Sequence, residues 1–259
     1  MTIDSLPAGP ASATVEVTGA RPQLDYYLVG VNDSDTTVEG LLVEEFTRDR
    51  DFVTTGLDSA GWTPQAGWWS SASLSRDIRT NPEMLARVIP TSRRQAETVH
   101  RALGGGQLPD ETLLRTHFLD HQPIASAPPL RLGPAQPPAG FHERRVYRVL
   151  FAKDLRPEQV AALRTAWRTP TVGTSASAAS ASGTSASGTS ASVASGRLDG
   201  HGDQFSWDLR RVGHTLAWGL DVTALLATDA TAALGSTLSA LTDVLRQHGL
   251  IPVTTERFS

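Results

Sequence analysis

Apolar and polar residues alternate most cleanly near the C-terminus. Phe205, Trp207 and Leu209 interleave with Gln204, Ser206, Asp208 and Arg210. After a turn at Val212-Gly213-His214, Leu216, Trp218, Leu220 and Val222 interleave with Ala217, Gly219 and Asp221. Period two marks two half-buried strands. Residues 145–152 form a Val/Tyr/Leu/Phe-rich strand ahead of them, followed by a helix over 157–168 with Val160, Leu163 and Trp167 on one side. Residues 231–248 predict an amphipathic helix carrying Leu234, Leu238, Leu241, Val244 and Leu245 inward; Gly249 stops it and a last strand follows over 251–258. The order βαββαβ predicts a ferredoxin-like domain over 141–259. Right-handed crossovers put both helices on one face of a four-stranded antiparallel sheet, with Phe205, Trp207 and Trp218 in its core.

Residues 24–121 predict a smaller α+β domain. A strand over 25–31, a turn at Asn32-Asp33-Ser34-Asp35 and a strand over 37–46 open it. Short helices follow at 73–79 and 82–86, the second capped by Asn81 with Pro82 at its first position. After a short strand over 87–90, Ser92 and Gln95 have the spacing of a capping box. Ala96, Val99 and Leu103 line that helix, and Gly104-Gly105-Gly106 ends it. A last helix over 109–119 sets Leu113, Leu114 and Phe118 together. Trp62, Trp68 and Trp69 fall in a Gly-containing stretch that reads as loop.

Three stretches lack a pattern that could bury surface. Residues 1–23 read as a flexible N-terminal segment, and the six prolines from Pro123 to Pro138 as a stiff linker over 122–140. The Ser/Ala-rich run 171–196 reads as a disordered insertion between the first helix and second strand of the C-terminal domain.

Charge and composition narrow the function. There is no cysteine, which excludes disulfides, thiolate metal sites and a cysteine nucleophile. No apolar run reaches the roughly 20 residues of a membrane span, and a cytoplasmic location is expected. Residues 1–140 hold 11 arginines and 17 acids, net −6, while 141–259 hold 12 basic and 10 acidic residues, net +2. From Asp25 to Asp58 nine acids face only Arg48 and Arg50. That excess repels phosphate backbones, so no nucleic-acid partner is expected.

Each motif carrying chemistry meets a plainer reading. His117 and His121 are four apart with Asp120 between them, a spacing that on a helix could share a metal. The glutamate of H-E-x-x-H is replaced by Phe118, and histidines also suit a helix C-terminus. Asp33, Asp35, Thr37 and Glu44 fit four positions of a calcium loop, but Val38 stands where its turn demands glycine. Gly104–Gly106 follows a helix rather than opening one, against a phosphate loop. An RNA-recognition domain would stack bases on aromatics of the helix-free sheet face. The third strand shows Ala217, Gly219 and Asp221 there. No cofactor is expected.

The run Tyr26-Tyr27-Leu28-Val29, then Gly40-Leu41-Leu42, Trp68-Trp69 and Val88-Ile89-Pro90-Thr91-Ser92 with the following Ala96-Glu97 helix resembles small uncharacterised actinobacterial domains. The resemblance covers residues 25–103 and implies a bacterial cytosolic protein without an assigned activity. Two surfaces remain for contact: the tryptophans Trp62, Trp68 and Trp69, and the open sheet face around Asp208, Arg210 and Gly219. The sequence thus points to a non-enzymatic binding or adaptor protein that engages a protein partner or another copy of itself. An immunity-like role would use the acidic first half. The alternative is a metal-dependent hydrolase built on His117, Asp120 and His121.

Overall fold

The computed structural model describes residues 23–30, 37–125, 136–168, 192–200, 202–213 and 217–258. Residues 1–22, the turn at 32–35 with the calcium-loop aspartates, the middle of the expected linker, the insertion up to residue 191, and His214 and Leu216 lie outside them. The described chain is mixed α+β, with two antiparallel sheets and six helices.

In the first sheet β1 (Asp25–Gly30) lies between β2 (Val38–Arg48) and β5 (Val88–Thr91). Beyond β2 comes β3 (Thr54–Thr63), which pairs with both β4 (Gly67–Ser70) and β6 (Gln122–Pro123). Helices α1 (Ala72–Thr80) and α2 (Pro82–Ala86) contribute Leu74, Ile78 and Leu85 to one face, against Tyr27, Val29 and Leu42. Helices α3 (Arg93–Ala102) and α4 (Glu111–Arg115) contribute Ala96, Val99 and Leu114 to the other, against Tyr26, Leu41, Val43 and Trp62. A sheet covered on both faces loses the alternation that marks a strand. β3 therefore carries no period-two signal in the sequence: its burial is nearly continuous and most of its residues are small.

Three expectations are corrected here. The tryptophan stretch is a hairpin rather than a loop, with Trp62 directly opposite Trp68 and Gly61 opposite Trp69. Gln122 and Pro123 belong to the first sheet, paired with Leu57 and Gly56, so no linker begins at residue 122. The helix expected over 109–119 stops at Arg115, where the Thr116 hydroxyl donates to the Leu113 carbonyl. The Ser92–Gln95 capping box and the Asn81 cap are present as read.

The second sheet runs β11-β7-β10-β9-β8, every pairing antiparallel. Its strands are β7 (Glu143–Ala152), β8 (Ala194–Gly200), β9 (Asp203–Val212), β10 (Ala217–Leu226) and β11 (Ile251–Arg257). Helix α5 (Pro157–Arg168) follows β7, and α6 (Ala232–Gln247) follows β10. Leu163 of α5 and Leu234, Leu238, Leu241 and Leu245 of α6 share one cluster with Phe151, Phe205, Trp207 and Trp218. Both helices therefore cover the same face, and both tryptophans point into it.

Strand β8 corrects the insertion, whose last residues, Ala194 to Gly196, are paired with β9. Their smallness has a packing reason. A Cβ on Gly196 would lie 2.5 Å from the Trp207 indole, which roofs the glycine from the neighbouring strand. Trp69 covers Gly61 in the same manner, at 2.4 Å. In both pairs an aromatic ring from the neighbouring strand supplies the surface that the glycine lacks.

The two sheets are joined through buried chemistry. Ile251 of β11, fully buried, completes the cluster of Tyr27, Val29, Leu42, Ile78 and Val88. Arg79 of α1 donates to both oxygens of Glu44 on β2, at 2.9 and 2.7 Å, and its Nε donates to the Pro252 carbonyl at 2.9 Å. Its side chain is 7% exposed and that of Glu44 1%. Burial alone would lower the Arg79 pKa, but the Glu44 charge and hydrogen bonds carry it above its ordinary value. In the β2–β3 turn Phe52 adopts a left-handed backbone, φ 62°, and its ring meets Gly235 of α6. The same turn presents Asp51 to Arg145 and Arg257.

Removing one partner of a buried ion pair strands the other charge. Glu44→Leu is expected to lose about 3–5 kcal/mol of stability. Adding Arg79→Met should recover more than half of that loss, as read by urea denaturation of the three proteins.

Candidate functional site

The face of the second sheet opposite α5 and α6 is built from the polar phase of its strands. Gln204, Ser206, Asp208 and Arg210 of β9 stand beside Gly219 and Asp221 of β10 and Arg148 of β7. Asp221 holds its centre. Arg148 donates to it through two nitrogens, at 2.6 and 3.0 Å, and Arg210 donates to its Oδ2 from the other side. That pairing and its hydrogen bonds lift the Arg148 pKa above its ordinary value, against the effect of burial. Ser206 and Asp208 are exposed, the latter accepting from Ser192 Oγ at 2.9 Å. Gly219 does not lie open as expected. It is buried, with Val212 Cγ2 2.5 Å from where a Cβ would stand and the Arg148 side chain 3.7 Å away. The ring of Phe258, 9% exposed, lies beside the Asp221 centre, its centroid 4.9 Å from the Arg148 guanidinium.

The tryptophans separate by role. Trp62 is core, 5% exposed. Trp68 is half-buried and stacks between two imidazoles, His100 at 5.9 Å and His117 at 5.8 Å. His100 is buried against Trp62 at 4.2 Å, and its Nδ1 lies 3.1 Å from the Gly106 carbonyl. Two rings of the hairpin, one of α3 and one from the turn after α4 are thus in serial contact. Trp69, on the other face, covers Gly61.

The residues of the expected metal cluster take separate partners. His117 follows the end of α4 and stacks on Trp68; His121 Nδ1 lies 2.9 Å from Asp58 Oδ1; the Asp120 amide donates to Ser70 Oγ. Among the described residues no three His, Asp or Glu side chains form a group that could hold a metal ion.

A cleft of about 780 Å³, which sequence reading missed, opens between β1–β2, the corner over 90–95 and α6. Asp25 pairs with Arg246 of α6 at 2.9 Å, and Arg246 also donates to the Tyr26 carbonyl. The Tyr26 hydroxyl donates to Glu111 at 3.1 Å and accepts from Arg93; burial raises its pKa to about 12. Arg48 stands half-buried in the wall with no hydrogen-bond partner at Nε, and burial lowers its pKa. The Asp25 side chain is 18% exposed, and desolvation, outweighing Arg246, raises it to about 6. These residues are up to 221 positions apart (246 − 25), so no local motif announces them.

No protein-family model, curated protein or solved structure matches the chain.

Asp25 gives the cleft a measurable signature. Its folded-state pKa lies above the ordinary 3.8, so from about pH 4 to 6 the folded form holds a proton that the unfolded chain releases. Stability linked to this group is therefore present at acid pH and lost as pH rises through that window. Asp25→Asn should gain on the wild type by on the order of 2 kcal/mol between pH 4 and 7. Urea denaturation at stepped pH checks this; a constant difference would show that Asp25 titrates normally.

Proposed function

We propose that this chain is a non-enzymatic protein-binding or adaptor protein whose contact surface is the helix-free face of the second sheet. We read that half as a ferredoxin-like unit extended by β8. The order β11-β7-β10-β9, with α5 after β7 and α6 after β10, supports this. The observation that carries the functional reading is the Arg148–Asp221–Arg210 centre. Two guanidiniums share one carboxylate, with exposed Asp208 opposite Asp221 on β9 and Glu256 opposite Arg148 on β11, so charges of both signs are fixed at the middle of the face. Fixed charges of both signs on a flat surface select partners by complementarity and steer their approach.

The proposed partner is a protein rather than a nucleic acid. Base recognition on such a sheet needs aromatic platforms, and Phe258 is already held by Arg148. No helix among the described residues is long and apolar enough to cross a membrane. The acidic run of the first half gives an immunity-like role little support. Glu39, Glu44, Glu45, Asp25 and Asp51 each pair with an arginine distant in sequence.

The test is affinity capture from a native lysate with the paired change Ser206→Arg/Asp208→Arg. A control, Arg156→Glu, sits at the exposed start of α5. Specific proteins should bind the wild type and the control and be lost from the double variant, all three having equal thermal stability. Unchanged capture by the double variant would remove this face from the proposal.

A further inference from the structure

The edges of the second sheet differ. The outer side of β11 meets the first sheet, where the Thr255 amide donates to Thr54 Oγ1 at 2.9 Å. The outer side of β8 pairs with no strand among the described residues. Such an edge presents a row of backbone donors and acceptors ready for another strand.

The phase of that row follows from the register. The β8–β9 ladder closes on Gly200 opposite Asp203, and Val193 N–H reaches the Leu209 carbonyl beside the Ala194–Leu209 pair. Even-numbered residues of β8 therefore turn their amides and carbonyls to β9, and Arg197 and Asp199 turn theirs outward. The side chains of these two residues share the helix-free face, while Leu198 points to the other.

We infer that β8 pairs antiparallel with β8 of a second copy, about a two-fold axis at Leu198, joining two five-stranded sheets into one. In this register Arg197 lies opposite the partner's Asp199, and its own Asp199 opposite the partner's Arg197. Both cross-strand pairs are hydrogen-bonding positions, so backbone and charge agree. Shifting the register by two residues sets arginine against arginine or aspartate against aspartate. The same charges that make the edge unattractive to arbitrary strands thus accept one symmetric partner. In the free chain Arg197 pairs with Asp199 of its own strand, at 3.2 Å and about half exposed, an arrangement that gives little stability by itself. The pairing sets the two helix-free faces side by side. It is a specific form of the protein-binding reading, and the two surfaces can fail separately.

Sedimentation velocity of the full chain decides it. The wild type should sediment as a dimer of about twice 27.6 kDa at high micromolar concentration. Arg197→Asp and Asp199→Arg each place like charges at both contacts, and each should weaken dimerisation at least about tenfold. Mixed together, the two variants regain complementary contacts and should form a heterodimer; the double swap in one chain should restore the homodimer. A monomeric wild type overturns the pairing and leaves the open-face reading standing. So does a dimer indifferent to the single swaps, or folded single variants that do not associate when mixed.

Discussion

Arg79 carries a charge into a place where water cannot follow it, and much of the architecture is arranged around that fact. A buried guanidinium survives only if its charge is met and its donors are used. Glu44 meets the charge with two oxygens, the Ser75 carbonyl takes a further bond at 2.8 Å, and the Pro252 carbonyl takes Nε. Two of these partners lie in the first sheet's own layers, and the third lies on the last strand of the chain. The geometry is satisfied only when α1, β2 and β11 are in register. An apolar contact tolerates sliding, whereas this one does not. The cluster around Ile251 contributes hydrophobic burial at the same junction, and Arg79 fixes its position.

The same reasoning reinterprets the charge pattern of the first half. Read along the chain, nine acids against two arginines describe a repulsive surface. Read in space, much of that charge is neutralised by guanidiniums from α1, the residue after α2, α4, α6 and the second sheet. The abundance of arginine over lysine suits this use, because a planar fork can hold a carboxylate with two bonds while its stem remains among apolar neighbours. Net charge by segment therefore says little about surface potential when pairs form across 35 residues, as Glu44 and Arg79 do, or across 221, as Asp25 and Arg246 do.

What the sequence revealed depended on whether an element has a solvated side. Strands β9 and β10 face water on one side, so Phe205, Trp207, Trp218 and Val222 stood out by alternation, and the polar phase between them led to Asp208, Arg210 and Asp221. Helix caps at Asn81 and Ser92 were legible because they are local hydrogen bonds. Strand β3 was invisible because helices cover both of its faces. The start of strand β8 was hidden because Ala194 and Gly196 are small, Gly196 leaving room for Trp207, and small residues next to a Ser/Ala tract look like more of that tract. The cleft, and the reach of Arg148 from β7 to Asp221, require knowledge of which distant residues meet, and composition carries no trace of it.

Ile251 belongs to a core whose other members are Tyr27, Val29, Leu42, Ile78 and Val88. On a ribosome those five are made long before it. The nascent first half therefore emerges with one layer unfinished, its apolar cluster open and Arg79 short of an acceptor until Ile251 and Pro252 are free. The first sheet can collapse early, but its last packing step waits for β11, so any chain that stops short of residue 251 exposes this flaw at once.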